Sequence, residues 1–403
     1  MNNPARNVPH AVYASRKVPF THVRELGRGA FAIVDEVQTP NWTPELGHNF
    51  EGKTFARKAL KVSRRQPKEA ILAEIEIAVK LRHYHLVEVI MTYEETPGNP
   101  WETPTFGMIM NPVAHITFQV LLDGMEMSKY IAHEPRADLE KWFGCLASGL
   151  AFLHLHRIRH KDIKPANILL RGRCILYSDF GVSRFVAPEV TDTQTEGPPG
   201  RLTYKYAAPE VIAHDLRGRK ADVFSLGCIF AEMTTFLSEG KRAHFETFRG
   251  PPGQRAFHES LDETLKWLFL LQPRAAGYHR YCCAAMIPDP DKRISSRDLE
   301  KWIICDRDNR AGWKRNRACE CLGTEPAGTF QTVSLGEGSC MPPYGDKIGE
   351  GNDISWQRAL DHWIGVCEWS QDTPQTIPRL LSITPPTLAG HFPVNAEAFF
   401  TTI

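Results

Sequence analysis

Apolar and polar positions change their rhythm part-way along the chain. In "FTHVRELGRGAFAIVDEVQT" two β-rich stretches flank a glycine turn, and "KTFARKALKV" alternates, so strands are predicted there. Between them "PNWTPELGHNFEG" reads as a turn-rich connector. "PKEAILAEIEIAVKLRH" then predicts a helix, with Pro67 near its start and Ile71, Ile75, Ala78 and Val79 at helical spacing. "HLVEVIMTYEE" and "TFGMIMNPV" return to strand character. Beyond Asn111 the period becomes helical. "LEKWFGCLASGLAFLHLH" sets Trp142, Leu146, Leu150 and Leu153 on one face, and "ADVFSLGCIFAEMTTF" is apolar nearly all round, hence a buried helix. "LDETLKWLFLLQP" and "SRDLEKWII" continue as helices.

These patterns predict an α+β, bilobal architecture: a small β-rich lobe with one main helix, and a larger helical lobe. The expected divisions are a flexible N-terminal segment over 1–19 and a folded domain over 20–306. Within that domain the small lobe spans 20–110, a connection 111–114 and the large lobe 115–306. A tail follows over 307–403, Gly- and Pro-rich as far as Asp353 and largely irregular. Inside it "WQRALDHWIGVCEW" places Trp356, Leu360, Trp363 and Cys367 on one face of a candidate amphipathic helix over 355–369. The readings for that segment are a helix packed on the large lobe, a helix that docks a partner, or an unstable remnant.

The chain of 403 residues has a net charge of +1, so whole-molecule charge argues for neither nucleic acid nor an anionic membrane. "MNNPARNVPHAVYASRKVPF" lacks the apolar run of a signal peptide, and no stretch reaches the length of a membrane span. Ten scattered cysteines form no CxxC pair, which fits reduced thiols in the cytoplasm or nucleus. Cys319, Cys321, Cys340 and Cys367 do not have zinc-finger spacing.

The densest chemistry lies in "RHKDIKPANILL", Arg159 to Leu170. An Asp can take or orient a hydroxyl proton. A Lys two residues on can neutralise charge moving between oxygens. An Asn five residues on offers a neutral oxygen to a hard cation such as magnesium. Together these are the needs of phosphoryl transfer to an alcohol, where positioning and charge stabilisation dominate.

With these residues the chain resembles the eukaryotic protein kinase superfamily, motif by motif and in order, from about Phe20 to Asp306. "GRGAFAIV" resembles the glycine loop, in which Gly27 and Gly29 would let backbone amides reach the ATP phosphates; Ala32 stands where the family has its third glycine. "FARK" implies Lys58 as the phosphate-holding lysine, with Lys61 a rival, and Glu74 as its ion-pair partner, with Glu76 the alternative. Val34 and Ala56 would cap the adenine and Leu169 would floor it. In the hinge "MIMNPVAH", Met110 would control access behind the adenine, and the Asn111 carbonyl and Val113 amide would bond its edge.

"HKDIKPAN" implies Asp162 as catalytic base, Lys164 beside the transferred phosphate and Asn167 as a magnesium ligand; "SDFG" adds Asp179 as the main magnesium ligand. Glu210 in "YKYAAPE" should pair with Arg293, and Asp222 should hold the catalytic-loop backbone; both would be structural. Lys164, Pro165, Ala166 and Thr203 fit the serine/threonine pattern. The resemblance therefore implies ATP- and Mg2+-dependent phosphorylation of protein substrates; the alternative is a pseudokinase that binds partners without transfer. Lys161 replaces the arginine that commonly grips an activation-loop phosphate, which leaves control through Thr191, Thr193 or Thr195 as an expectation only.

Overall fold

The computed structural model describes residues 8–29, 32–40, 52–64, 66–126, 135–180, 184–185, 204–213, 218–239, 242–271 and 277–309. The tail helix expected over 355–369, the tail cysteines and the activation-loop threonines lie outside them.

Five segments of alternating character form the small lobe's antiparallel sheet: β2 (Thr21–Arg28), β3 (Ala32–Gln38), β4 (Thr54–Lys61), β5 (Glu88–Thr96) and β6 (Thr105–Asn111). A sixth strand, β1 (His10–Ala14), joins the β5 edge in parallel, giving the order β1-β5-β6-β4-β3-β2. Within the segment 1–19 expected to be flexible, residues 10–14 thus form a strand. "HAVYA" alternates over only five residues, and its partner lies far along the chain, with His10 opposite Thr92. The Thr92 amide donates to the Pro9 carbonyl at 2.9 Å, and Ala11 is buried with Phe20, Tyr93 and Ile109. The strand thus covers backbone that an open edge would leave unpaired. Tyr93 itself needs Gly107 opposite: a Cβ there would sit 2.0 Å from its ring.

Helix α1 (Lys68–Lys80) packs on this sheet through Ile71 and Ala78, which join Leu60, Val89, Phe106 and Met108 in one cluster. Its buried stripe also contains a carboxylate, Glu74.

The large lobe opens with the short strand β7 (Ile116–Thr117), α2 (Phe118–Glu126) and α3 (Pro135–Leu155). On α3 the predicted face of Trp142, Leu146, Leu150 and Leu153 is buried. Three short strands follow: β8 (Ile158–Arg159), β9 (Ile168–Arg171) and β10 (Cys174–Tyr177); β11 (Arg184–Phe185) returns to pair with β8. The helices α4 (Pro209–Ile212), α5 (Arg219–Glu239), α6 (Arg242–Arg249), α7 (Leu261–Leu271), α8 (Tyr278–Ala285) and α9 (Ser296–Asn309) complete the lobe.

By length and composition α5 could cross a membrane, but 83% of its apolar window is buried within the protein, which marks it as the core helix of this lobe. Gly227 lets α8 approach it closely: a Cβ would stand 2.8 Å from Ala285 and Met286. Phe143 of α3 packs on Phe230 of α5 with ring centroids 4.6 Å apart.

Candidate active site

On β4 the residues Ala56, Lys58 and Leu60 share one face, by the two-residue period of a strand. Leu60 and Ala56 on that face are buried, so Lys58 is drawn into the interior with them and is only 9% exposed. A buried ammonium needs carboxylates. Glu74 supplies one, projecting from α1 on the same side as Ile71 and Ala78. Lys58 Nζ lies 2.6 Å from Glu74 and 2.8 Å from Asp179. Burial alone would lower the lysine's pKa, but the two carboxylates outweigh it and the pKa is raised, so Lys58 is a fixed cation. The rivals stand elsewhere. Lys61 ends β4 at its exposed edge, and Glu76 pairs with Lys80 at 2.6 Å on the solvent face of α1.

The loop from His160 to Asn167 gathers the second group. Asp162 receives Lys164 Nζ at 2.7 Å and the Asn167 amide at 2.9 Å. The same amide donates to the Asp162 carbonyl at 2.8 Å. With the nitrogen of Asn167 committed to Asp162, the group left on that side chain is a neutral carbonyl oxygen, the donor type a hard cation accepts. Asp179 stands beyond it with its side chain half-exposed, at φ +61°, an uncommon conformation for a residue other than glycine. Ser178 ties the two strands together, its amide and hydroxyl both donating to the Asn167 carbonyl at 2.9 and 3.0 Å.

Three supports hold the loop from beneath. Asp222, buried at the start of α5, accepts the backbone amides of His160 and Lys161 at 2.8 Å each. His160, fully buried, donates through Nε2 to the Ser178 carbonyl at 3.0 Å. His154 donates through Nε2 to Asp222 at 3.0 Å and meets the Ser296 hydroxyl at Nδ1 at 2.8 Å. Burial lowers the His154 pKa, so this imidazole is neutral, with its proton on Nε2 and Nδ1 accepting from Ser296. Burial would raise Asp222, but these donors outweigh it and hold it as a carboxylate. Glu210 and Arg293 form a buried, two-pronged ion pair at 2.7 and 3.0 Å.

The remaining predicted positions lie on the small-lobe sheet, the connection and β9. Val34 lies opposite Lys58 and Ala56 opposite Met110 in the sheet register. Asn111 ends β6, and Val113 follows in the connection between the lobes, partly buried. Leu169 lies on β9, opposite Leu176 and Thr117. At Gly27 an added Cβ would meet nothing within 4 Å, and at Gly29 only the Ala32 carbonyl at 3.7 Å. The backbone there is open to an approaching group. A fixed cation, an exposed carboxylate, an amide oxygen and bare glycine backbone form a donor set that fits a magnesium nucleotide.

His154 and the Lys205–Tyr206–Glu232 group are not among the residues that the motifs single out. Glu232 is fully buried on α5 and receives Lys205 at 3.0 Å and the Tyr206 hydroxyl at 3.2 Å. A carboxylate within the apolar run "CIFAEMTTF" was the available signal.

Residues 20–298 match the family model for the protein kinase domain. A receptor-like serine/threonine-protein kinase of Arabidopsis thaliana is 26% identical over 233 residues, 55% of this chain and 24% of that protein. Mitogen-activated protein kinase kinase kinase 13 of Mus musculus is 29% identical over 205 residues, 50% of this chain and 19% of that protein. The MAP kinase kinase kinase wis4 of Schizosaccharomyces pombe is 34% identical over 157 residues, 36% of this chain and 11% of that protein. The chain therefore matches less than a quarter of the length of these relatives.

Proposed function

The chain belongs to the protein kinase family, and from that premise we infer that it is a serine/threonine kinase, transferring the γ-phosphate of ATP to serine and threonine hydroxyls of protein substrates. The observation that carries this reading is the joint placement of Lys58 on Glu74 and Asp179, with Asp162 held by Lys164 and Asn167. Asp162 would accept or orient the substrate hydroxyl proton. Lys164, on the same carboxylate oxygen, would offset negative charge as it develops there. Lys58 would hold phosphate oxygens, and Glu74 sets the position of its ammonium. Asp179 and Asn167 would hold magnesium, which when bound supplies charge neutralisation between phosphate oxygens. Gly27 and Gly29 would offer amides, while Val34, Ala56, Asn111, Val113 and Leu169 would frame the adenine.

A pseudokinase that only binds partners is the second reading, motivated by Ala32 and Lys161. Neither residue supplies one of the chemical groups above, and so we prefer transfer. The test is incubation of the purified full chain with magnesium, γ-labelled ATP and generic basic and acidic proteins, followed by phosphoamino-acid analysis. Label on serine and threonine is expected. Absence of label on every substrate, with nucleotide still bound, would favour the pseudokinase.

A further inference from the structure

A half-open pocket of about 550 Å³ includes His154, the histidine beneath the catalytic loop, in its lining. It lies between the α1–β5 connection, the end of α3 and the starts of α5 and α9. Its size is that of a small-molecule site. Part of the lining is apolar and aromatic: His83 and Phe152 have ring centroids 4.9 Å apart, tilted by 33°, and Leu155 and Val223 are among the other lining residues. Burial pushes the His83 pKa down to about 3, so this ring is a neutral wall at pH 7.

The lining is also cationic. Arg219, Lys220 and Arg297 belong to it, against a single carboxylate, Glu300, whose own pKa is raised by burial. Arg219 lines the cavity with one nitrogen donating to the His154 carbonyl at 3.0 Å, and its guanidinium carries further N–H donors. Two helices, α5 and α9, also begin here, and the amides of their first turns add partial positive charge.

We propose that this cavity binds a small organic anion, with a flat apolar body against His83 and Phe152 and a carboxylate or phosphate on Arg219 and Arg297. The back wall of the site is His154, the residue that holds Asp222 and through it the amides of His160 and Lys161. An occupant therefore sits two hydrogen bonds from the loop that carries Asp162. This site is independent of the nucleotide cleft, and its occupancy does not rest on phosphoryl transfer.

The test is calorimetric titration of the full chain with 2-naphthoate, with 2-naphthol as neutral comparator, each with and without saturating magnesium–ATP. Naphthoate is expected to bind once per chain at up to about 1 mM, at least about tenfold tighter than naphthol, and to resist displacement by ATP. Arg297→Glu, a change at an exposed position, should weaken naphthoate about tenfold and leave naphthol and the melting curve unchanged. Ala151→Phe places a bulky ring in the lining and should weaken both ligands. Displacement by ATP, no preference over naphthol, or unchanged naphthoate affinity in Arg297→Glu would overturn the proposal. Because the readout is heat of binding, a chain inactive in phosphoryl transfer would leave these outcomes as informative as before.

Discussion

Lys58–Glu74 and Arg293–Glu210 are both buried ion pairs, but they differ in how completely they are tied. Arg293 spends all five of its N–H donors: two on Glu210, and the others on the carbonyls of Ile287, Lys220 and Pro288 at 2.7–2.8 Å. Its side chain is wholly buried and its planar fork admits one geometry. Lys58 is a point charge shared between carboxylates from two other parts of the chain, and one of these, Asp179, is half-exposed. Nothing in an ammonium fixes the direction of its partners. The brace of the large lobe is thus rigid by construction, whereas the cluster at the cleft can exchange one oxygen for another without dismantling the fold. That is the property a phosphate-holding lysine needs.

The comparison breaks first at the brace. Arg293→Ala leaves Glu210 buried without its partner and should cost about 3–5 kcal/mol of stability, read from urea unfolding. A loss under about 1 kcal/mol would mean the pair is a surface-like contact despite its burial. Asp222→Asn should come next, because Asp222 serves both regions. It should cost about 1–3 kcal/mol, because an amide nitrogen in place of the oxygen that accepts from His154 and from the His160 amide mismatches both donors, and it should also slow transfer as the His160 amide loses its acceptor while the Lys161 amide keeps its own. If only stability moves, the catalytic loop does not depend on this anchor.

At the cleft, Glu74→Gln keeps the shape and leaves Lys58 on Asp179. Transfer should fall up to about 100-fold through misplacement of the ammonium. The unfolding midpoint should move far less than in Arg293→Ala, and a shift as large would show the two pairs to be alike.

The last contrast is a pH slope. His83 and His279 are pushed down by burial to about 3 and about 4, and His85 and His154 are lowered as well. Each gains its proton first in the unfolded chain. Stability should therefore be full above about pH 6.5 and fall as pH drops from there toward 4, by at most about 1.4 kcal/mol per pH unit for each histidine. His279→Gln should flatten the slope measured by urea midpoints across that range. An unchanged slope would mean that His279 protonates equally in both states.

The residues of the cleft were legible because chemistry demands particular groups at fixed separations. Asp162, Lys164 and Asn167 fall within six residues of one another, and no propensity argument explains that spacing. The strands and helices were legible where the period was long, as on α3. What escaped was held by distant partners. Strand β1 has only five residues and acquires its identity from β5, with Tyr13 opposite Glu95. His154 hides in the apolar helix end "FLHLH", and its meaning comes from Asp222 and Ser296, which lie 68 and 142 residues further along. Glu232 is read as polar from sequence, but its need for Lys205 and Tyr206 appears only when α5 packs against the turn at Tyr204–Tyr206.

The central claim is that Asp162 acts in the chemical step while the surrounding bonds hold the fold, and the most direct measurement is transfer by Asp162→Asn beside wild type. Asparagine keeps the shape and can still meet Lys164 through its oxygen, but it cannot take a proton. Single-turnover transfer to a serine-containing substrate, with magnesium–ATP saturating, should fall about 10²–10⁴-fold, while nucleotide affinity and the unfolding midpoint stay at wild-type values. Transfer at the wild-type rate by Asp162→Asn would contradict the account.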